Sequence, residues 1–535
     1  MDSLSLELLE FILSSPVLSD RDVLNFSSTC HHFRNIVLTS EVIWRRRFYR
    51  KLPSFSDNSW CPDSYYEELK YFYSLKPRVL DMLESAFVDF FSESICPKVN
   101  LSDWEMLYNE KAPNYFYLRR HLLDINNTKE AINSILIVPF NTPGHLTLQF
   151  FARFSLSFLN EIYLKNTWPK FIRAPPKQQI FEKLAILVAQ WFHLDTETVE
   201  LYVTKGLDNF ANLVKMRLKA THPKHPIFAT QEIKWKKEKL DKHQWEPEDC
   251  QVIISTIRDV LYSDLGFQEC DHEWEFITRI LESRKCLPTN LAVIYESVAR
   301  RLGVLVDVVC DFSRHKYCFL QLQLNETIYY INPGNGCFMR GVTSSKRVTS
   351  GVIVQQMIDN LQHKFLDVND RDKNELIRSL CRLNDIINNV YISSPLRLLY
   401  HQIRKCGNNN KRPIALKYAV GMVVVLNNAI SWSTGTPISG KGVIFDWNRS
   451  EYEEDYLYGV ICDNGEALSL MDYKDALTPT ADPGNLQSIE QVALYFSHFF
   501  VNHFVPNLEV EKLFPYDGEV RQKFYHQLQA RDGRV

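Results

Sequence analysis

The stretch Cys286-Leu-Pro-Thr-Asn-Leu-Ala-Val-Ile-Tyr-Glu-Ser-Val-Ala-Arg-Arg-Leu-Gly303 predicts a buried helix that leads into a strand. Its apolar residues recur with helical spacing, so one side of the helix is expected to face a core. Thr289 or Asn290 is expected to cap the N-terminus, because a short oxygen-bearing side chain accepts hydrogen bonds from free backbone N–H groups. Gly303 is expected to end the helix, since glycine adopts the left-handed conformation at little cost.

Three strands are predicted after this helix, at residues 304–309, 316–323 and 327–331. Three chemically capable side chains accompany them in the order Cys286, His315 and Asn332. A cysteine at a helix N-terminus has a stabilised thiolate, a histidine could take its proton, and an asparagine could orient the histidine. The alternative is that all three are ordinary turn and core residues, because a catalytic triad is defined by distances and not by chain order.

Composition and charge describe a globular chain with no overall nucleic-acid or membrane signal. The 535 residues suffice for about three to four domains. Hydrophobic residues make up 45% of the chain, and the formal net charge is −3. No apolar run reaches the ~18 residues that span a bilayer, and the start Met-Asp-Ser-Leu lacks the pattern of a signal peptide. We therefore expect no membrane partner.

The cysteines suggest the compartment of the protein. Twelve are scattered along the chain without a Cys-x-x-Cys pair. This argues against a zinc ribbon or a disulfide framework and for a reducing compartment. We expect a cytoplasmic location, with the nucleus as an alternative, and neither a metal nor a cofactor.

The first 50 residues predict a small module of three helices. Ser19 and Asp22 have the spacing of a capping box at the start of the second helix. A unit of this size buries too little surface to be stable alone, so an apolar face left over on it indicates a partner. The alternative is a structural cap. The apolar residues of interest are Leu4, Leu8, Leu9, Ile12, Leu13 and Trp44.

This module resembles the F-box, with Ser5 standing where that family usually has a proline. The resemblance implies docking onto the adaptor subunit of a cullin–RING (SCF) ubiquitin ligase. Docking of a helix in a groove depends on apolar anchors. The adaptor and the cullin are the partners it implies, while the protein substrate is left unidentified. The implied adaptor-binding residues are Leu4, Leu8, Leu9, Ile12, Leu13 and Trp44.

Residues 177–375 resemble the SirB-type transglutaminase-like core. Three departures bear on activity. Cys286 occupies a position where the family has glycine, no thiol lies near Pro288–Asn290 where the nucleophile would be expected, and Asn332 stands where an aspartate is usual. The resemblance therefore implies a retained fold without turnover, whose cleft could bind a peptide or small ligand. The matching residues are Leu207-Asp208, Ala211, Val260-Leu261, Leu265-Gly266-Phe267, Leu287-Pro288, Val298–Gly303, Phe312 and His315.

Residues 413–520 predict a small β-barrel with an appended helix. The segments Tyr418–Gly421, Gly442–Trp447 and Tyr458–Val460 resemble the YccV-like domain, which is named for binding hemimethylated DNA. Residues 413–482 hold four basic and ten acidic residues, a net charge of −6. Because phosphate neutralisation supplies most non-specific DNA affinity, we expect this region to bind protein and not DNA.

Two further expectations concern the C-terminus. Residues 488–504 predict an aromatic helix, because aromatic side chains recur there at helical spacing. The polar tail from Arg521 is expected to fray.

The fold class is therefore α+β and multidomain. The expected order is an F-box (1–50), a helical linker region (51–175), a transglutaminase-like domain (177–375), a helical connector and linker (376–412), and a YccV-like barrel with a C-terminal helix (413–520). This order resembles the F-box only protein 21 family. It implies a substrate-recognition subunit of an SCF ubiquitin ligase without catalysis of its own. The alternatives are a cysteine amidohydrolase or transferase using Cys286, His315 and Asn332, and a DNA-binding regulator acting through the barrel.

Overall fold

The computed structural model contains both helices and sheets, as predicted. The residues it describes form two compact units, one of residues 1–66 with 160–392 and the other of residues 67–159 with 393–535. Each unit is therefore built from two separate stretches of chain. The structure describes the whole chain except residues 1–3, 56–60, 93–101, 127–144, 176–177, 194–198, 230–239, 241, 271–275, 312–316, 342–346, 368–371, 389–411, 414–415, 432–434, 450–455, 473–475 and 532–535.

Four short helices, and not the expected three, form the N-terminal module: α1 (Leu6–Leu13), α2 (Asp20–Ser27), α3 (His31–Thr39) and α4 (Glu41–Lys51). Serine side chains cap three of them, because a hydroxyl oxygen satisfies a free N–H group of the first turn. Ser5 accepts from the Leu8 N–H, and Ser40 accepts from the Ile43 N–H. The capping box of Ser19 and Asp22 is confirmed.

Four longer helices follow: α5 (Tyr65–Ser92), α6 (Ser102–Glu110), α7 (Asn114–Asn126) and α8 (His145–Arg173). Within the second unit a buried carboxylate ties α5 to α7 and to the turn that precedes α7. The Tyr117 hydroxyl donates to Glu68 at 2.8 Å, and Lys111 forms an ion pair with the same carboxylate. The His121 ring stacks on Phe72 with centroids 4.1 Å apart.

The second stretch of the first unit surrounds a buried helix with other helices and a sheet. Helices α9 (Phe181–Phe192), α10 (Val199–Thr221), α11 (Pro247–Arg258) and α12 (Ile277–Ser283) precede the central helix α13 (Pro288–Arg301). Two short strands, β1 (Gln268–Glu269) and β2 (Lys285–Cys286), pair in parallel. Helices α14 (Ser350–Asp367) and α15 (Asp372–Ile387) close the region.

A four-stranded antiparallel sheet packs beside α13. Its strands are β3 (Asp307–Asp311), β4 (Tyr317–Leu324), β5 (Thr327–Ile331) and β6 (Phe338–Gly341), paired in chain order. Leu320, Leu322 and Ile331 are fully buried on the face that joins this core. The sheet thus fixes one side of the central helix.

The central helix begins and ends for reasons that differ in part from those expected. Pro288 occupies its first position, which suits a residue without an N–H group. The N-cap is Leu287 and makes no side-chain hydrogen bond, so the expected cap by Thr289 or Asn290 is wrong. Gly303 has φ 79° and follows the helix as predicted.

The C-terminal sheet has five antiparallel strands: β7 (Val423–Ile430), β8 (Pro437–Arg449), β9 (Tyr456–Cys462), β10 (Ala467–Met471) and β11 (Leu477–Thr480). Their order is β10-β9-β8-β7-β11. Closure would require a ladder between the edge strands. In the described part of the chain β11 pairs with β7 alone, so the expected closed barrel is not found there.

The predicted aromatic helix of residues 488–504 is wrong. A short helix, α16 (Glu490–Tyr495), is followed by a hairpin of β12 (Phe496–Phe500) and β13 (His503–Pro506). The Phe504 N–H donates to the Gly421 carbonyl oxygen at 2.8 Å, which ties the hairpin to the chain just before the large sheet. Tertiary pairing therefore overrides the local pattern.

Two helices follow, α17 (Leu508–Leu513) and α18 (Asp517–Arg531), so the polar segment from Arg521 to Arg531 is helical. Asp517 is fully buried. It accepts hydrogen bonds from the Val420 N–H at 2.7 Å, from Trp447 Nε1 at 3.1 Å and from the Arg412 guanidinium. Arg521 donates to the Val420 carbonyl oxygen at 2.8 Å. These bonds fix α18 to the sheet.

Among the described helices, none combines the length and the apolar character that crossing a bilayer requires.

Candidate functional site

The first helix presents two different faces. Leu9 and Leu13 are buried, each 4% exposed, whereas Leu8 and Ile12 are 51% and 45% exposed. Leu4, just before the helix, is also exposed. Neighbouring leucines thus point in opposite directions, because a helix turns about 100° per residue.

The buried face of α1 packs within the N-terminal helices. Trp44 is buried, and its indole N–H donates to the Val37 carbonyl oxygen at 2.5 Å. Arg47 donates to the carbonyl oxygens of Leu13 at 2.8 Å and Leu18 at 2.7 Å, at the end of α1 and just before α2. Of the six residues predicted to bind an adaptor, Leu9, Leu13 and Trp44 therefore belong to the internal core. Leu4, Leu8 and Ile12 face solvent.

Cys286 lies on β2, before the central helix begins, and its side chain is fully buried. Tyr262 lies on a π-helical turn, Asp259–Asp264, that continues α11. Its hydroxyl donates to the Pro333 carbonyl oxygen. Burial raises the pKa of Tyr262 well above its usual value, and the nearby Cys286 and Glu269 add to the shift. The phenol is therefore a hydrogen-bond donor and not a base.

Asn332 is placed as a turn residue. Its side-chain oxygen accepts from the Gly334 N–H at 2.8 Å, and its carbonyl oxygen accepts from the Gly336 N–H at 2.7 Å. A side chain that closes its own turn has its acceptor in use. His315 lies outside the described residues. The structure therefore brings Cys286 and Asn332 into the neighbourhood of Tyr262, and their arrangement with His315 stays a prediction.

The N-terminus of the central helix carries a buried polar cluster that sequence analysis missed. The Thr289 hydroxyl lies 3.3 Å from Gln356 Oε1, and the Cys318 thiol donates to the same oxygen at 3.2 Å. The three side chains come from α13, β4 and α14. The only sequence signal is Gln356, a polar residue among the apolar positions of a helix. Since all three are at least nine-tenths buried, the cluster is suited to packing and not to attack on a substrate.

Little space remains beside this helix end. A cavity of about 20 Å³ is lined by residues of α9, α12, α13 and α14, Asn290 among them, and by Leu287 just before α13. One water molecule needs roughly 10–15 Å³ of such space. The cavity therefore has room for about one water and none for a peptide.

The central helix is also held by buried charges. Arg300 and Arg301 each donate to Glu182 at 2.6 Å, and Arg301 donates to Asp208 at 2.8 Å. Burial raises the pKa of Glu296, one turn earlier, although Arg300 opposes the shift. Removing one partner of such a network would leave a buried charge uncompensated. The paired arginines therefore anchor the helix and are not available to a ligand.

No group of three or more histidine, cysteine, aspartate or glutamate side chains within the described part of the chain has a geometry that could hold a metal ion.

Comparison with known proteins agrees with the transglutaminase-like resemblance, while the F-box and YccV-like resemblances stay predictions. Residues 203–379 match the Transglutaminase-like superfamily. The chain is 23% identical over 389 residues to proteins named F-box only protein 21 from Pongo abelii, Homo sapiens and Mus musculus. The match covers 66% of this chain and 57–58% of the relatives, so the chain spans less than two thirds of their length. No solved structure matches.

The sequence match and the transglutaminase-like region together fit the suspected family. The chain is therefore similar to proteins named F-box only protein 21 and carries a transglutaminase-like region at residues 203–379.

Proposed function

We propose that this chain is the substrate-recognition subunit of an SCF (cullin–RING) ubiquitin ligase. Residues 1–50 would act as an F-box that docks onto the adaptor subunit, which links the chain to the cullin. The observation that carries the proposal is the exposed apolar face of α1, supported by the likeness to proteins named F-box only protein 21.

The exposed face fits docking better than a structural cap. Leu8, Phe11 and Ile12 are 51%, 70% and 45% exposed, although the core of the N-terminal helices is already filled by Leu9, Leu13 and Trp44. Apolar side chains at i, i+3 and i+4 line one side of a helix, which is the pattern a hydrophobic groove receives. A cap would be expected to bury this face.

The buried residues support the same role indirectly. Arg47 fixes the end of α1 through the carbonyl oxygens of Leu13 and Leu18, so α1 is held before any partner arrives. Binding then requires little additional ordering, which strengthens association. Leu9, Leu13 and Trp44 are thus positioning residues for adaptor docking.

The central region is proposed to bind and not to catalyse. Cys286 is fully buried, and the cavity at the helix end holds about 20 Å³. A thiol needs access and a thiolate-stabilising environment to act as a nucleophile. Ubiquitin transfer would be carried out by other subunits, and this chain would raise the effective concentration of the substrate near them.

The test is capture of the recombinant adaptor and cullin by the intact chain and by a Leu8→Asp/Ile12→Asp variant. Both positions are exposed, so the variant is expected to fold. Met216→Asp is the matched control, because Met216 is a 69% exposed apolar residue on another helix. We expect capture by the intact chain and the control and at least about a tenfold loss in the double variant. Equal capture by all three, or capture by none, would refute the proposal.

A further inference from the structure

An open pocket of about 640 Å³ lies on the C-terminal sheet, away from every residue assigned a role so far. Its volume falls within the ~300–1,000 Å³ of known ligand sites. Six of its ten lining residues carry polar side chains, and most of the lining is solvent-exposed. Its polar residues are Asn427, Asn428, Ser439, Lys441, Asp463 and Asn485.

A β-bulge shapes this pocket. In the pairing of β7 with β8, Leu426 lies opposite Gly440 and Ala429 lies opposite Ile438. Two residues of β7, Asn427 and Asn428, therefore lie opposite a single residue of β8, Ser439. Asn428 has φ 53°, in the left-handed region. Bulges bend a strand and re-aim its side chains, and they occur often beside functional sites.

The opposite wall also depends on unusual backbone. Gly440 has φ 139°, and a Cβ there would lie 3.0 Å from an Asp463 carboxylate oxygen. Gly484, with φ 53°, opens the 3₁₀ turn Gly484–Ser488 that carries Asn485. Three residues with positive φ thus border one pocket. Asn428 is the non-glycine residue of the three, and a non-glycine residue in this region persists only where the surrounding structure maintains it, as often happens at ligand-binding positions.

The two bulge asparagines use one end of each amide within the sheet. Asn427 donates to the Thr478 hydroxyl at 2.9 Å, and Asn428 accepts from the Ser439 hydroxyl at 3.0 Å. Asn427 retains an acceptor and Asn428 retains a donor, since each amide carries both. Asp463 adds carboxylate oxygens, one of which accepts from the Lys441 N–H at 3.1 Å. The pocket therefore presents donors and acceptors side by side, as a peptide bond does.

We propose that this pocket binds an extended segment of a client protein through the backbone of that segment. The identification of the segment as part of a ligase client rests on the proposed function. The mode of recognition rests on the pocket alone.

Two other occupants fit less well. A small molecule in a typical site has some 70–90% of its surface buried, whereas Asn428, Ser439, Asp463 and Asn485 are all exposed and leave the pocket open. A nucleic acid would meet Asp463 and Asp482, and the pocket's lysine, Lys441, is already ion-paired with Asp482. An extended chain needs contact along one side only.

The test begins with selection of short random peptides, displayed on phage, against the full-length chain. The selected peptides are synthesised with a fluorophore, and their affinity is measured by anisotropy. Asn485→Arg places a long charged side chain in the pocket without removing any described side-chain hydrogen bond. Gln487→Arg is the matched control, because it lies exposed on the same 3₁₀ turn and outside the pocket lining.

The proposal expects selected peptides to bind the intact chain and the Gln487→Arg variant equally and the Asn485→Arg variant at least about tenfold more weakly. It also expects methylation of single backbone nitrogens in the peptide to weaken binding. Failure to select any peptide, equal affinity for both variants, or indifference to methylation would overturn it. Binding of a DNA duplex that displaces the selected peptides would also overturn it, in favour of a nucleic-acid site.

Adaptor capture measured on the same proteins separates the two proposals. Peptide binding without adaptor capture by the intact chain would refute the ligase role and leave the pocket proposal standing. Adaptor capture without peptide binding would refute the pocket proposal and leave the ligase role standing.

Discussion

Replacing Asp517 with asparagine should loosen the C-terminal sheet and its last helix. The substitution preserves shape but removes a charge and one acceptor. In the native protein the carboxylate accepts from the Val420 N–H, from Trp447 Nε1 and from Arg412. An asparagine can present its oxygen to one side only, so its NH₂ group must face a donor.

The expected cost follows from the burial of the ion pair. Asp517 is completely buried, and the Arg412 side chain is 10% exposed. Breaking a buried ion pair by removing one partner costs about 3–5 kcal/mol, since the other charge remains uncompensated. We therefore expect Asp517→Asn to lower the free energy of unfolding of this region by about 3 kcal/mol or more.

Hydrogen exchange followed by mass spectrometry measures the local free energy of opening, which suits a chain with more than one unit. A loss of ~3 kcal/mol corresponds to roughly a hundredfold faster exchange where opening limits it. The amides of β8 and of residues 418–422 should show the change. Glu519→Gln is the control, because Glu519 is exposed on the same helix. Its effect should stay within about 0.5 kcal/mol.

Native-like exchange of these amides in Asp517→Asn would refute the reasoning. It would mean that the three hydrogen bonds are replaced without loss and that the sheet does not depend on α18. Equal acceleration in Glu519→Gln would point to the helix as a whole and not to the buried carboxylate.

Three further outcomes are expected. Val501 has φ 51° and is 58% exposed at the hairpin tip. Because glycine adopts this conformation at less cost than valine, Val501→Gly should raise the free energy of unfolding, measured with urea, by about 0.5–1 kcal/mol. Any destabilisation would contradict this. Burial, with Arg521 adding to it, lowers the pKa of His503 to about 4. The unfolded chain takes up this proton near pH ~6.5, so the stabilisation from neutral His503 is present above pH ~6.5 and is lost as the pH falls towards 4. The free energy of unfolding of His503→Gln should therefore fall less over that range. An identical pH profile for the variant and the native protein would contradict the assignment. Iodoacetamide should leave buried Cys286 unmodified in the native chain while labelling exposed Cys30, and equal labelling would reopen the catalytic hypothesis.

The central helix and its strands were predictable because one pattern serves both local and tertiary structure. The apolar spacing from Leu291 to Leu302 predicted the helix, and β5 has the predicted bounds of residues 327–331. Asn325 occupies the predicted turn with φ 53°. Where the local hydrophobic period and the packing of the core favour the same structure, that structure can be predicted from the sequence.

Residues 488–504 show the opposite case. Aromatic residues are common in that segment, and a dense run of them fits a helical period and a strand period alike. The structure separates the two at Tyr495, where α16 ends and β12 begins. The bond from the Phe504 N–H to Gly421 connects residues more than eighty positions apart, and no local pattern reports it.

For the candidate sites, the sequence predicted which residues are present but not how their side chains are arranged. The sequence identified the apolar residues of α1, but the direction each side chain faces depends on where α4 packs. Leu8 and Leu9 are adjacent and chemically identical, yet one is exposed and the other buried. The cluster of Thr289, Cys318 and Gln356 joins three segments, so its chemistry emerges only after folding.

The discontinuous build of the two units has a consequence for protein synthesis. Residues 1–66 leave the ribosome first, but the rest of their unit, residues 160–392, follows only after residues 67–159. At ~5–20 residues per second, that interval lasts roughly 5–20 s. The second unit is interrupted in the same way, and its residues 67–159 wait for the C-terminal stretch. A nascent chain therefore carries exposed apolar segments for a large part of its synthesis, and no single cut would release either unit intact.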